Sequence, residues 1–313
     1  MILKSAWLVL TGATLWGTIG LFVQGLYTYG FSPIDVVALR VLGSALVLFL
    51  FLLLFKRNLL RIQLRDLFFF AGCGIVSIVF FNLCFFTVME RSSNSLAVVL
   101  LYTGPVFVVL LSRLFLKEPM TGGKAVALLL TVLGCMLAVG LVPAGDADMS
   151  AGTIFIGLLS GFFYALYSIF GKFVAHRYHS VTITAYAMLT ASLCVVPMSG
   201  LAAKQAQLLE PAVLWNTFGL AVLSTVFAYS FYTAGLSQME SGRAAILAVA
   251  EPVVAIWIGI LLFGDKLTIW QAGGILCILA AVLFTIERRP AGKAKSQRLF
   301  FSPENRNEDR KTL

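Results

Sequence analysis

The sequence predicts an all-α integral membrane protein: ten transmembrane helices arranged as two inverted-topology five-helix repeats. Three observations carry that expectation. Long apolar runs recur along the 313 residues, positive charge collects in every second gap between them, and the chain resembles itself at an offset of 147 residues. Composition agrees, with 60% hydrophobic residues, 12% charged and a mean hydropathy of +0.95, where a soluble domain is roughly a quarter charged. Charges confined to short gaps between apolar runs exclude a soluble enzyme, a disordered chain and a nucleic-acid binder. The five cysteines (Cys73, Cys84, Cys135, Cys194 and Cys277) all lie inside apolar runs without metal-ligand spacing. They read as small core residues, not as a disulfide framework.

Crossing a bilayer core takes about 20 apolar residues in a helix. Runs near that length, bounded by Gly, Pro, Asn or charge, occupy 6–29, 34–55, 66–89, 95–115, 123–142, 151–173, 181–203, 212–236, 243–263 and 268–287. The first is longer than a signal-peptide core and ends in Tyr27-Thr28-Tyr29-Gly30 without a cleavage site, so it stays as a membrane helix. The second holds Arg40 and the third Asn82; the fourth carries Tyr102 ahead of Pro105. In the sixth, Gly157 and Gly161 are spaced as a helix contact face, as are Ala244 and Ala248 in the ninth. The ninth also carries Glu251 immediately before Pro252. After the tenth comes a tail, 288–313, with eight Lys or Arg against three acids and no apolar period, which reads as a disordered basic cytoplasmic segment.

Orientation follows from the basic residues. With the N-terminus in the cytoplasm, nineteen Lys and Arg fall inside and only Arg91, Lys204 and Lys266 outside, with Arg40 within its span. The bias recurs loop after loop, so both termini are expected in the cytoplasm.

The offset of 147 places Leu100, Pro105, Val106, Thr121, Ala125 and Leu129 on Leu247, Pro252, Val253, Thr268, Ala272 and Leu276, with Glu118 on Asp265. The chain therefore reads as a duplication, residues 1–143 and 150–287. Five spans is an odd number, so the second copy enters the membrane from the opposite side. Two near-equivalent halves of that kind can expose a central site to either side in turn, which is alternating access. Pro105 and Pro252 are expected as helix breaks that release the carbonyls of Leu101 and Ala248 near mid-span.

Several short motifs recur in a fixed order: Leu15-Trp16-Gly17, Arg40, Leu101-Tyr102-Thr103-Gly104-Pro105 leading to Lys117-Glu118, and Ala250-Glu251-Pro252 leading to Phe263-Gly264-Asp265. Over residues 5–287 the chain resembles the drug/metabolite transporter (DMT) superfamily, specifically its EamA-like ten-helix bacterial members. Where that family usually closes the second copy with Gly-Glu, this chain has Gly264-Asp265, which keeps the charge. The resemblance implies secondary transport of small metabolites, often amino acids or related compounds and often outward, across the bacterial plasma membrane.

Ionisable groups in hydrocarbon cost about 3 kcal/mol or more and face a cavity or a partner. Arg40 is expected to form a structural ion pair with Asp35 or Glu90. Glu251, a mid-span carboxyl beside a proline, is the proton-coupling candidate, since burial penalises its charged form. Lys172 is expected to snorkel to the inner surface. Trp16, Asn82, Tyr102, Tyr164, Tyr229 and Glu251 form the expected substrate-binding set, because a mid-span indole or phenol needs a polar partner. His176 and His179 fall in a loop and read as solvated. No nucleotide-binding glycine loop, hydrolytic triad or HExxH motif occurs, so no catalytic residue, metal or cofactor is expected. The expected partners are a small-molecule substrate and the lipid bilayer, with no nucleic acid; a homodimer is compatible with the sequence. Two other readings stay open at this point, a nucleotide-sugar-type carrier and a non-transporting scaffold or channel-like membrane protein.

Overall fold

The computed structural model describes residues 2–141, 150–264 and 266–287, and all regular structure among them is helical. The basic tail 288–313 and Asp265 lie outside the described residues. Among the described residues, nine helices are long and apolar enough to cross a membrane: α1 (Leu3–Tyr27), α2 (Pro33–Phe55), α3 (Leu64–Arg91), α4 (Ser95–Phe115), α6 (Ala151–Val174), α7 (Ser180–Met198), α8 (Pro211–Gln238), α9 (Ser241–Leu262) and α10 (Ile269–Ile286). The tenth, α5 (Gly122–Ala138), is apolar and shorter.

Local chemistry sets many of the ends. Ser32 and Asp35 close a capping box at the start of α2 with Pro33 in its first turn, and Thr121 and Ser150 cap α5 and α6. α7 stops at Met198 instead of running on to residue 203. Pro197 cannot donate to the helix, and short 3-10 turns at Val196–Met198 and Leu201–Ala203 replace its continuation.

The helices pair across the two copies. α1 packs on α8 and α9, while its counterpart α6 packs on α3 and α4; α2 lies on α7, and α5 on α10. Each pairing is the image of another under exchange of the copies, as expected for a bundle built from two related halves. The largest apolar cluster, including Val9, Trp16, Val37, Met188, Tyr229 and Leu247, fills the space between them. Outward faces are apolar as well: Leu50 and Leu54 on α2, Leu129 and Leu133 on α5, and Leu261 and Leu276 on α9 and α10 are exposed. Such an exterior suits hydrocarbon.

Two π-helical stretches, Gly72–Val79 in α3 and Gly219–Phe227 in α8, begin 147 residues apart. They widen equivalent turns in the two copies. At one point the copies differ: α1 is interrupted at Thr18, whereas α6 is continuous over Ala151–Val174. The Thr18 hydroxyl donates to the Leu15 carbonyl at 2.7 Å and meets Ser224 Oγ at 2.8 Å.

At the lysine- and arginine-rich end, Asp66 accepts hydrogen bonds from Arg177 Nη1 at 2.9 Å and from the Tyr178 phenol at 2.7 Å. Burial holds that phenol above its ordinary range, so it stays a donor across neutral pH.

Candidate functional site

Both α4 and α9 break in mid-span, at Tyr102–Thr103 and at Val249–Ala250, turn residues 147 apart. Pro105 and Pro252 have no N–H to return to Leu101 and Ala248, so the chain tightens just ahead of each. Thr103 N donates to Leu100 O at 3.2 Å and Ala250 N to Leu247 O at 3.2 Å, and the Thr103 hydroxyl adds a bond to Leu100 O at 2.6 Å. Each proline then takes the second position of the resumed helix, Gly104–Phe115 or Glu251–Ile258. The two breaks expected from the prolines are therefore present.

Glycines let a neighbouring helix reach each break. A Cβ on Gly161 of α6 would lie 2.5 Å from Thr103 Oγ1, and one on Gly17 of α1 would lie 2.9 Å from the Glu251 carbonyl. Close approach at these points requires glycine.

Glu251 opens the resumed half of α9, with the Tyr102 phenol beside it. It sits deep among protein atoms yet keeps part of its surface accessible, and so does Tyr164. Around them the aromatic side chains interlock: the Trp16 ring meets Tyr229 edge-on at 5.0 Å and Tyr232 at 5.1 Å, and Tyr229 meets Tyr167 at 5.0 Å. The outer phenols are satisfied by hydroxyls, Tyr167 with Thr233 at 2.9 Å and Tyr232 with Ser168 at 2.7 Å. Tyr229 instead accepts a hydrogen bond from Arg40 Nη2 at 3.3 Å, with the guanidinium 5.9 Å from its ring centre. Arg40 acts electrostatically on Glu251 without forming an ion pair with it.

Trp16, Tyr102, Tyr164, Tyr229 and Glu251 are thus brought together, from five different helices. Asn82 turns its amide N–H back onto the Ile78 carbonyl at 2.7 Å, inside the π-helical region of α3. The expected ion pairs of Arg40 are not formed. Asp35 is taken by Lys204 Nζ at 2.7 Å and by the backbone N–H groups of Ser32 and Gly200, and Glu90 is exposed. Lys172 does not snorkel: its Nζ caps the end of α8, donating to the carbonyls of Leu236 at 2.6 Å and Met239 at 2.5 Å. His176 is exposed, His179 caps the start of α7, and no metal-holding cluster occurs among the described residues.

One role escaped the sequence reading. Glu118 accepts from the N–H groups of Ser241 at 2.7 Å and Gly242 at 3.3 Å, capping α9 from the other copy. Lys124 reinforces the junction through Glu240 at 2.8 Å. The signal was the alignment of Glu118 with Asp265, which marks the position without saying what it binds.

A two-copy helical bundle with broken helices meeting at a polar centre is the architecture of a membrane carrier. The chain belongs to the EamA-like transporter family, whose sequence profile matches residues 3–140 and again 151–286. It is similar to an uncharacterized transporter of Archaeoglobus fulgidus, at 26% identity over 90% of this chain and 99% of that protein. The threonine/homoserine exporter RhtA of Salmonella typhimurium is 27% identical over 82% of this chain and 83% of that protein. A solved crystal structure shares the fold, with a TM-score of 0.72 at 16% identity, covering 90% of this chain and 95% of that one. The protein is a multi-pass integral membrane transporter.

Proposed function

We propose that the protein is a secondary exporter of small metabolites, amino acids or related compounds, across a bacterial inner membrane by alternating access, with both termini cytoplasmic. The observation that carries this reading is Glu251: a carboxyl group at a helix break, deep in the bundle yet accessible, in a cluster with Tyr102, Tyr164, Tyr229 and Trp16. Substrate meets Tyr164 and Glu251 directly; Trp16 and Tyr229 form the wall behind them. The units that move are residues 1–143 and 150–287, and Glu251 is the group that couples the movement to protons. Export, and amino acids as cargo, draw support from the relative named a threonine/homoserine exporter.

The direction of access also has support in the contacts. At the end assigned to the cytoplasm, Glu118 and Lys124 tie the first copy to the start of α9. The positions 147 residues away from Lys124 and Glu240 are Gln271 and Ser93, which among the described residues make local caps with Thr268 and Leu96; Asp265, the counterpart of Glu118, lies outside them. The conformation described is therefore latched at that end, and the inward-open state requires the latch to part.

Counterflow in proteoliposomes tests the reading. Protein loaded with unlabelled threonine should draw labelled threonine in against its gradient, since a carrier exchanges one for the other. Absence of exchange for threonine and for a panel of other amino acids would defeat the amino-acid reading.

A further inference from the structure

Among the described residues Arg40 makes no ion pair, and Glu251 acts on it only at a distance. It lies eight residues into α2, about 10 Å from the helix start at 1.5 Å per residue, and only 8% of it is exposed. A guanidinium in that setting is expensive unless it is paired. Asp35 is saturated by Lys204 and two backbone N–H groups, Glu90 is on the surface, and Glu251 interacts with Arg40 without forming an ion pair. Of the five N–H donors of the guanidinium, one reaches Tyr229 Oη at 3.3 Å, while Nε is buried with no hydrogen-bond partner among the described residues. Nε is sealed from solvent, but the Nη1–Nη2 edge beside the aromatic wall fits a planar two-oxygen acceptor, which it can bind through two parallel bonds.

We propose that Arg40, steadied by Tyr229, is the anchor for a carboxylate carried by the substrate. The assignment rests on the carrier reading above and makes the cargo a small monocarboxylate. A phosphate ester fits less well: one guanidinium facing a carboxyl group at Glu251 leaves a dianion with surplus negative charge in a site of low dielectric. Tyr229 restrains the guanidinium and does not neutralise it. Substrate binding then supplies the missing charge, so the loaded site is the better-compensated one and an empty transporter keeps an unpaired cation.

The test uses purified full-length protein, thermal shift and counterflow, with threonine and lactate as carboxylates, threoninamide and lactamide as their counterparts without a carboxylate, and glycerol 1-phosphate as the phosphate arm. A ligand that binds the folded state raises the melting temperature. The acids should do so and the amides should not, and Arg40→Gln should weaken binding of the acids by about ten- to a hundredfold. Arg40→Lys, which keeps the charge but loses the fork, should retain part of the affinity. Equal binding of acid and amide, preference for glycerol 1-phosphate, or undiminished acid binding in Arg40→Gln would each overturn the proposal. So would a transporter that binds neither acid. Should Arg40→Gln fail to fold, the acid and amide comparison on unaltered protein still decides. Counterflow of a compound without a carboxylate would sink the anchor and leave the carrier reading standing; no counterflow of any compound would remove both.

Discussion

Glu251 and Arg40 both adjoin one aromatic cluster, and they differ in how they are held. Glu251 has the Tyr102 phenol beside it, with Arg40, Tyr164, Tyr229 and Cys135 as the other titratable groups near it. Glu251→Gln keeps the shape and the capacity to hydrogen-bond but cannot titrate. It should abolish accumulation driven by an imposed pH gradient while sparing exchange at equal pH; a variant that still concentrates substrate would make the residue structural. The aromatic residues separate in the same way. Tyr164 keeps accessible surface, so Tyr164→Ala should reduce transport with little change in melting temperature. Trp16 is 5% exposed and wedged on two tyrosine rings, so Trp16→Ala should cost about 3–5 kcal/mol of stability as well as transport. Sequence placed Trp16, Tyr102, Tyr164 and Glu251 near mid-span and Arg40 about two turns in from the outer end, yet gave Arg40 the wrong partner, because the lysine that claims Asp35 lies 169 positions away in the chain.

Among the elements, the prolines announced the breaks in α4 and α9, while the π-helical stretches of α3 and α8 were silent. A wide turn leaves composition and hydropathy unchanged, so nothing in an apolar run marks it. Its consequence is visible at Gly74, where a Cβ would lie 2.1 Å from Thr190 Oγ1 and 2.3 Å from the Ala187 carbonyl of α7. The carbonyl belongs to a helix backbone and cannot step aside. Gly74→Ala should therefore lower the melting temperature by the equivalent of about 1–3 kcal/mol of overpacking. Gly273→Ala on α10 is the control: nothing lies within 4 Å of its Cβ, and replacing a helical glycine there should hold or raise stability by up to about 1 kcal/mol. Equal destabilisation by both would mean that close packing of α3 on α7 is not what Gly74 provides.

For the whole molecule, the charge asymmetry and the latch make separate predictions. In a chain cleared of its native cysteines, Asp146→Cys and Lys266→Cys should react with an impermeant reagent added to intact cells, and Asn58→Cys and Gly122→Cys should not. Labelling at position 58 would invert the orientation proposed. Lys124→Gln removes the ion pair to Glu240 at the latched end. It should raise the share of inward-open molecules, read as faster modification of a cysteine placed at Tyr164 from the cytoplasmic side, with folding unchanged. No change in that rate would show that Glu118 alone holds the end closed.

The sequence by itself determined the number of spans, the duplication and the two helix breaks. Hydrocarbon forbids unpaired backbone, so hydropathy and proline are sufficient there to impose helices and their interruptions. It also determined which polar residues lie at mid-depth, since depth follows from position within a span. Pairing was beyond it. Lys204 on Asp35, Glu118 on the start of α9, Lys172 on the end of α8 and Arg40 left to Tyr229 all join residues from different helices. A one-dimensional pattern says how deep a charge sits but not which way it faces around its helix. Only the packing of the two copies settled which charges met one another and which was left to face the centre.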